Sequence, residues 1–193
     1  MARAPADHSR VVNHTLVPEA GVYEIDPVHT FVGFSAQHLV VGRVRGRFET
    51  VNGTVTIAED PEASMVEVAI ETASINTLHP MRDDDIRSGH YLDVANHPTM
   101  TYRSTGVTER PAGEWLVAGH LSLRGVTRPS ELVVRFGGAV TDPFGNARLA
   151  FHAKGSITRS DFGLHYELVK EAGGLLVGND IAIEIDAEAI RPL

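Results

Sequence analysis

Ten histidines are the first side chains in this 193-residue sequence that could bind a metal. A zinc or iron site needs two or three His or carboxylate ligands close together, often at the spacings H-x-H or H-E-x-x-H. Neither spacing occurs, although His79, His90 and His97 fall within one irregular segment. We therefore predict no metal site. A metal-assisted hydrolase or isomerase that uses these three histidines stays open as the rival interpretation.

Motifs for covalent or phosphate chemistry are missing. The chain has no cysteine, which excludes disulfides, thiol catalysis and Cys-type metal sites. It also has no G-x-S-x-G, no S-x-x-K and no Gly-rich phosphate loop. Asp83, Asp84 and Asp85 lack the spacing of a calcium loop, and they suit the first turn of a helix, where the helix dipole favours anions. The sequence therefore predicts a protein with no catalytic residue and no cofactor.

The one basic run is Arg43-Val44-Arg45-Gly46-Arg47. On a strand, its alternation puts the three arginines on one face, which we take as the outer face, with Val44 and Phe48 on the other. Solvation is the ordinary role of such a face, and attraction to an anionic head group or a membrane surface is the functional alternative. The net charge of −8 argues against nucleic acid as a partner, because phosphate backbones attract basic surfaces.

The elements that must position these residues are strands. Apolar residues alternate with polar ones in six stretches, and such alternation is typical of an antiparallel sheet with one wet face. The pattern predicts an all-β fold of roughly eight long strands, which favours a closed up-and-down barrel. The stretches are 51–57, 66–71, 115–123, 130–140, 146–158 and 181–188.

Three segments depart from this pattern. Residues 1–20 have no apolar block and predict a flexible tail, which leaves residues 21–193 as a single barrel domain. Because that tail holds no secretory h-region, we expect the protein in the cytoplasm. Residues 74–98 predict a short helical segment near residues 80–96, with a helix over residues 82–88 across one barrel end. Residues 160–179 are glycine-rich and predict a mobile loop.

The barrel interior could serve as a binding site. An eight-stranded barrel is wide enough either to fill itself with side chains or to hold one slender ligand. Small residues on the predicted inward faces, Gly53, Gly119, Ala153 and Gly155, would leave room beside larger ones. A packed core with glycines at bulges explains the same residues, so the pattern alone leaves both interpretations open.

Short motifs follow in a fixed order over nearly all of the chain after residue 20. They are Asp26-Pro27-Val28-His29-Thr30 with Phe34 and His38, Gly46-Arg47-Phe48 with Gly53, Arg82-Asp83, Leu92-Asp93, Pro98, Tyr102 with Ser104-Thr105, the run 119–127, and Ile157-Thr158-Arg159-Ser160-Asp161-Phe162-Gly163. This ordered set resembles the YceI-like polyisoprenoid-binding family. Asp85 stands where members often carry His, and His97 where they carry Tyr; we expect both positions in the helix at the barrel mouth.

The resemblance implies an extended, lipocalin-like barrel whose apolar tunnel holds an isoprenoid lipid, such as a polyprenyl phosphate or a quinone. It also implies that many relatives are exported. We predict noncatalytic binding, sequestration or transport of that lipid, with transient membrane contact and a homodimer as open possibilities. A ligand-free, stress-related structural dimer is the third interpretation. The predicted bore residues are Phe34, Val55, Val68, Ile70, Tyr102, Trp115, Val117, Phe151, Ile157, Phe162 and Ile183, and the predicted polar mouth is His38, Arg82, Asp83 and Arg87.

Overall fold

The computed structural model of the protein describes residues 8–39, 41–165 and 177–192, and most of this part is β-strand. The strands are β1 (Ser9–Val12), β2 (Thr15–Pro18), β3 (Gly21–Ile25), β4 (Phe31–His38), β5 (Gly42–Phe48), β6 (Val51–Ile57), β7 (Met65–Glu71), β8 (Ile75–Asn76), β9 (Thr99–Arg110), β10 (Glu114–Leu123), β11 (Val126–Thr141), β12 (Asn146–Thr158) and β13 (Val177–Pro192). The helices are α1 (Pro80–Arg87) and the 3-10 turns Pro61–Ala63, Thr72–Ser74, Pro111–Gly113 and Arg159–Phe162.

Antiparallel pairing closes these strands into an eight-stranded barrel. Three barrel strands consist of two segments in line, β3 with β4, β5 with β6, and β7 with β8. The order around the barrel follows the chain, and β13 closes it by pairing with β12 on one side and with β3 and β4 on the other. The predicted all-β, lipocalin-like barrel is thereby confirmed. Among the described residues, β8 pairs only with β5, and residues 42–46 of β5 pair only with β4, so the barrel has a short open edge near the helix-bearing segment.

Inward and outward faces alternate as the sequence pattern predicts. Along β10, Trp115, Val117 and Leu121 are buried, whereas His120 is exposed. Along β5, Arg43, Arg45 and Arg47 are exposed, and the residues between them are half-buried. The apolar half of each strand therefore faces the bore and the charged half faces outward.

The two ends of the barrel are covered differently. At the first, which we call the hairpin end, β6, β9 and β11 finish and the β1–β2 hairpin contacts them. At the second, which we call the helix end, β4 turns into β5 and the chain forms α1 between β8 and β9. Because the ends differ, an elongated ligand in the bore would meet a different environment at each.

Within the predicted flexible tail of residues 1–20, β1 and β2 form a hairpin, and residues 1–7 lie outside the described part. Four register pairs join β1 to β2, from Ser9↔Pro18 to Val12↔Thr15. The connecting residues Asn13 and His14 both have positive φ, as the two-residue turns that suit twisted hairpins require. The strands are only four residues long, so their alternation is too brief to stand out in the sequence.

The helix α1 begins two residues before the predicted start. Pro80 occupies its first turn, and the His79 ring accepts a hydrogen bond from the Arg82 N–H at 3.4 Å. It ends at Arg87, so His97 lies outside the helix in which it was expected. No helix in the described ranges is long and apolar enough to span a membrane. Of the predicted loop over residues 160–179, residues 166–176 lie outside the described part, and β13 already begins at Val177.

Candidate functional site

Two apolar cavities lie end to end in the bore. The first, near the hairpin end, has a volume of about 180 Å³ and contacts both the hairpin and the middle of the barrel. The second, near the helix end, has a volume of about 310 Å³. Along β13 their linings extend from Val177 to Ala187, which corresponds to about 33 Å of strand. The bore therefore offers a long, narrow apolar space.

A ring of side chains common to both cavities forms a waist between them. Tyr102 lies at this waist, and its hydroxyl donates a hydrogen bond to the Val117 carbonyl at 3.0 Å. Burial, with a smaller contribution from Glu131, raises the pKa of Tyr102 to about 12, so the phenol stays neutral and presents its ring to the bore. The residues that line both cavities are Val32, Ile70, Tyr102, Leu132 and Ile185.

The inward glycines do not leave the room that the sequence suggested. A Cβ at Gly119 would lie 2.6 Å from Tyr102 Cζ, so the tyrosine ring already occupies that space. A Cβ at Gly53 or Gly155 would lie 2.3 Å or 2.8 Å from a backbone carbonyl of the neighbouring strand. Of the four small residues, only Ala153 lines a cavity. The free volume comes from the barrel dimensions, and the glycines permit close approach of their neighbours.

Arg82 supplies the polar edge of the helix-end cavity. Its Nε and one terminal nitrogen donate to the hydroxyl and carbonyl of Thr77, both at 2.7 Å, and its side chain lines the cavity. Asp85, on the same helix, also lines the cavity, and its carboxylate has no hydrogen-bond or ion-pair partner among the described residues. His38 lies on the β4 side of the same space. These three side chains offer a polar head group at this end a guanidinium, a carboxylate and an imidazole, in addition to Arg159.

Arg159 is a buried cation at the same end, and the sequence analysis did not select it. Arg159 lines the helix-end cavity, and the residue as a whole is 5% exposed. It donates to the carbonyls of Leu164, Val177 and Gly178, and no carboxylate in the described part of the chain pairs with it. Because carbonyls satisfy the N–H groups without cancelling the charge, Arg159 remains a charged group at the cavity wall.

Asp83, Arg87 and Phe162 do not line either cavity, unlike the other predicted site residues. Asp83 accepts hydrogen bonds from the N–H and hydroxyl of Thr77; burial alone would raise its pKa, but these bonds outweigh it and lower the pKa. Arg87 donates to the carbonyls of Ala73 and Ile75. Phe162 is buried in the core. These three residues hold α1 and the Arg159–Phe162 turn in place, and we correct their assignment from ligand contact to support.

The twelve remaining predicted residues all line the bore. The helix-end cavity is bordered by Phe34, His38, Arg82, Ile157 and Ile183. The hairpin-end cavity is bordered by Val55, Val68, Trp115, Val117 and Phe151, and the waist includes Ile70 and Tyr102. The sequence analysis missed Val32, Leu132 and Ile185, which lie on the same inward faces. Because alternate residues of a strand share a face, Phe34 predicts Val32 and Ile183 predicts Ile185.

One group of close metal-capable side chains occurs among the described residues, and it is neutralised by an arginine. Asp26, His29 and Glu188 lie within reach of one ion, but Arg148 donates to Asp26 and to Glu188, both at 2.6 Å. The His29 ring contacts Asp26 at 2.8 Å. Because the Arg148 guanidinium already occupies the place of a metal, we interpret Asp26 and His29 of the motif over residues 26–30 as members of a structural ion-pair network.

The three histidines of the rival interpretation do not come together. Within the described ranges they form no ligand group with each other. His79 caps α1, and a Cβ at Gly125 would lie 3.0 Å from the His97 ring. His79 and His97 therefore make separate local contacts, and the geometry offers no support for a metal-assisted reaction at this segment.

The chain resembles known proteins over most of its length. Residues 23–189 match the model of the YceI-like domain. Protein YceI from Salmonella newport is 39% identical over 152 residues, which covers 77% of this chain and 79% of that protein. The crystal structure of BcnA from Burkholderia cenocepacia superposes with a TM-score of 0.74 at 16% identity, covering 85% and 98% of the two chains. A polyisoprenoid binding domain from Saccharophagus degradans superposes with a TM-score of 0.62 at 17% identity, covering 88% and 98%.

Proposed function

The chain belongs to the YceI-like domain family, and from this premise we propose that it binds an isoprenoid lipid in the bore of the barrel. A structural neighbour is a polyisoprenoid binding domain, which supports isoprenoid binding at the level of the family. The observation that carries the proposal is the pair of apolar cavities joined at a waist around Tyr102. A long, slender apolar chain is the ligand class that suits such a space.

The linings suggest how the lipid lies. The hairpin-end cavity is almost wholly apolar and suits the tail. The helix-end cavity carries two arginines, Arg82 and Arg159, against one carboxylate, Asp85, together with His38, so it suits a polar or anionic head group. Each buried five-carbon unit would contribute about 3 kcal/mol before the cost of ordering the chain, so a few units suffice for stable binding. We propose a noncatalytic role, since binding of this kind needs no reactive group.

We further propose that the lipid enters at the helix end from an anionic membrane surface. Val41 and Leu78, near that end, are 93% and 90% exposed. Arg43 and Arg45 point outward from the neighbouring strand β5, and neither has a carboxylate partner among the described residues. Exposed apolar tips beside these outward arginines match the interface of an anionic bilayer, where each arginine contributes about 1 kcal/mol.

The binding proposal is tested by filling the tail cavity. Ala153 is buried and lines it, so Ala153→Phe places a ring where the tail would lie. We expect prenyl alcohol binding to weaken roughly hundred-fold, which corresponds to about 3 kcal/mol. Trp115 lines the same cavity and is the only tryptophan, so its fluorescence reports the titration.

The matched control is Lys154→Phe, one residue along β12, whose side chain is 75% exposed. It should bind like the wild type. Equal affinity of A153F and wild type, with both folded by melting temperature, would place the lipid outside the bore and refute the proposal.

A further inference from the structure

The β1–β2 hairpin covers the hairpin end of the barrel. It lies before residue 23, outside the part of the chain that matches the family model. His8 contacts the Thr141 hydroxyl at 2.9 Å, Arg10 donates to the Ala58 carbonyl at 2.7 Å, and Thr15 donates to Glu109. These partners stand at the ends of β11, β6 and β9, which are separated around the barrel. Contacts on separate sides of the rim place the hairpin across the opening.

The hairpin has an inner and an outer face. Arg10, Thr15 and Val17 lie on one face of the two paired strands, because directly paired residues and those two apart point the same way. Val17 on this face is 2% exposed. Val11 and Leu16 on the other face are 62% and 42% exposed. The face that carries Val17 is therefore the one turned into the barrel.

Val17 forms part of the lining of the tail cavity. It borders the hairpin-end cavity together with Pro18, and the wall is completed by strand residues such as Val55 and Phe151 and by Pro61 and Ser64 between β6 and β7. The strand residues form the sides of the bore, whereas the hairpin lies across its axis. A lipid tail that extends from the waist towards this end would meet the Val17 side chain.

We propose that the hairpin is a fixed floor and that Val17 sets the longest isoprenoid chain that the bore accepts. This inference rests on the proposed function and names the part of that site that selects tail length. The family-matched barrel supplies the apolar tube and, through Pro61 and Ser64, part of the wall at its end, and the hairpin adds Val17 across the axis.

Closure by the hairpin is tested without a lipid, through Trp115. This residue is 8% exposed and lines the cavity next to the hairpin. Arg10→Ala removes the contacts with Ala58 and with Glu59 and should raise the open fraction roughly five-fold. Acrylamide quenching of Trp115 should increase accordingly. Quenching identical to the wild type in Arg10→Ala and in Thr15→Val, which removes the hydrogen bond to Glu109, would overturn closure.

Tail selection is tested with prenyl alcohols that lengthen by one isoprene unit at a time. Val17→Ala should bind the alcohol one unit beyond the wild-type optimum roughly ten-fold more tightly than the wild type does. Val17→Phe should shift the optimum to a shorter alcohol. Val11→Ala makes the same truncation on the outer face of the hairpin. It should leave the preferred length of prenyl alcohol unchanged.

The outcomes separate the two proposals. If no prenyl alcohol binds the folded wild type, the proposed function fails and the length limit fails with it. If the wild type binds but Val17→Ala and Val17→Phe keep its length preference, only the role of the hairpin as a limit is wrong. If Val17→Ala does not fold, Val17→Phe still tests the length limit, because it enlarges the side chain. Arg10→Ala still tests closure, because it leaves Val17 intact.

Discussion

At the scale of single residues, Arg148 organises the charges near the hairpin end. It donates to Asp26 and Glu188 at 2.6 Å and to Asp142 at 3.2 Å. Burial alone would raise the pKa of Asp26, but hydrogen bonds from Arg148 and His29 outweigh it and lower the pKa from 3.8 to about 2. The network is therefore a stabilising element whose strength depends on pH.

Arg148→Met should lower the free energy of unfolding by about 3 kcal/mol at neutral pH, because it leaves buried carboxylates without their cation. Since the folded pKa of Asp26 is depressed, its contribution is complete above about pH 4 and is lost as the pH falls towards 2. The variant should therefore show a shallower loss of stability over that interval. Urea unfolding at neutral pH and near pH 3 measures both effects.

Arg103→Met is the control, because Arg103 makes an exposed ion pair with Glu67 and its side chain is 70% exposed. It should cost less than about 1 kcal/mol. If Arg148→Met unfolds at the wild-type urea concentration at neutral pH, the network contributes nothing and its assignment is incorrect.

At the scale of elements, Gly119 in β10 determines where the waist lies. The register between β9 and β10 shifts between Ala118 and Gly119, and the ring of Tyr102 lies over the glycine. A Cβ there would also lie 2.6 Å from the Arg103 carbonyl, which cannot move without breaking the strand pairing. The tyrosine at the waist therefore depends on a glycine in the neighbouring strand.

Gly119→Ala should lower the free energy of unfolding by about 2 kcal/mol, as overpacking does, and should displace Tyr102. Gly106→Ala is the matched control on β9, because a Cβ at that position has no heavy atom within 4 Å. It should be neutral or slightly stabilising. Chemical denaturation of both variants provides the comparison. Equal stabilities would show that the waist tolerates a Cβ at Gly119.

The elements that the sequence predicts and those that it misses differ in how many residues show the apolar–polar alternation. Long strands such as β10 and β12 repeat the alternation often enough to reveal the barrel and its inward faces. Each strand of the β1–β2 hairpin contributes only two inward residues, so the sequence resembles an irregular tail there. Arg159 lies just beyond a strand, and its cavity position depends on the turn that follows, which periodicity does not describe.

At the scale of the whole molecule, the charge distribution bears on where the lipid comes from. The chain carries a net charge of −8, yet Arg43 and Arg45 form a local basic face beside the exposed apolar residues Val41 and Leu78. An acidic protein is repelled by an anionic bilayer except where such a face is presented. The proposed entry at the helix end follows from this asymmetry.

The double variant R43Q/R45Q should bind vesicles that contain anionic lipid about thirty-fold more weakly, since each arginine contributes about 1 kcal/mol. Binding to purely zwitterionic vesicles should not change. R103Q/R135Q makes the same charge change on outward positions of β9 and β11, where both arginines pair with glutamates, and should retain binding. Vesicle sedimentation measures all three proteins. If both double variants lost the same vesicle affinity, the effect would come from net charge alone. That result would rule out a defined membrane-binding face.

The central claim is that the bore holds one isoprenoid chain along the axis that joins the two cavities. Mass spectrometry of the natively purified protein tests it most directly, with wild type, A153F and K154F prepared from the same host. The account predicts one bound isoprenoid per chain in the wild type and in K154F, and an empty barrel in A153F. A wild type that carries no isoprenoid and takes none up on reconstitution would contradict it.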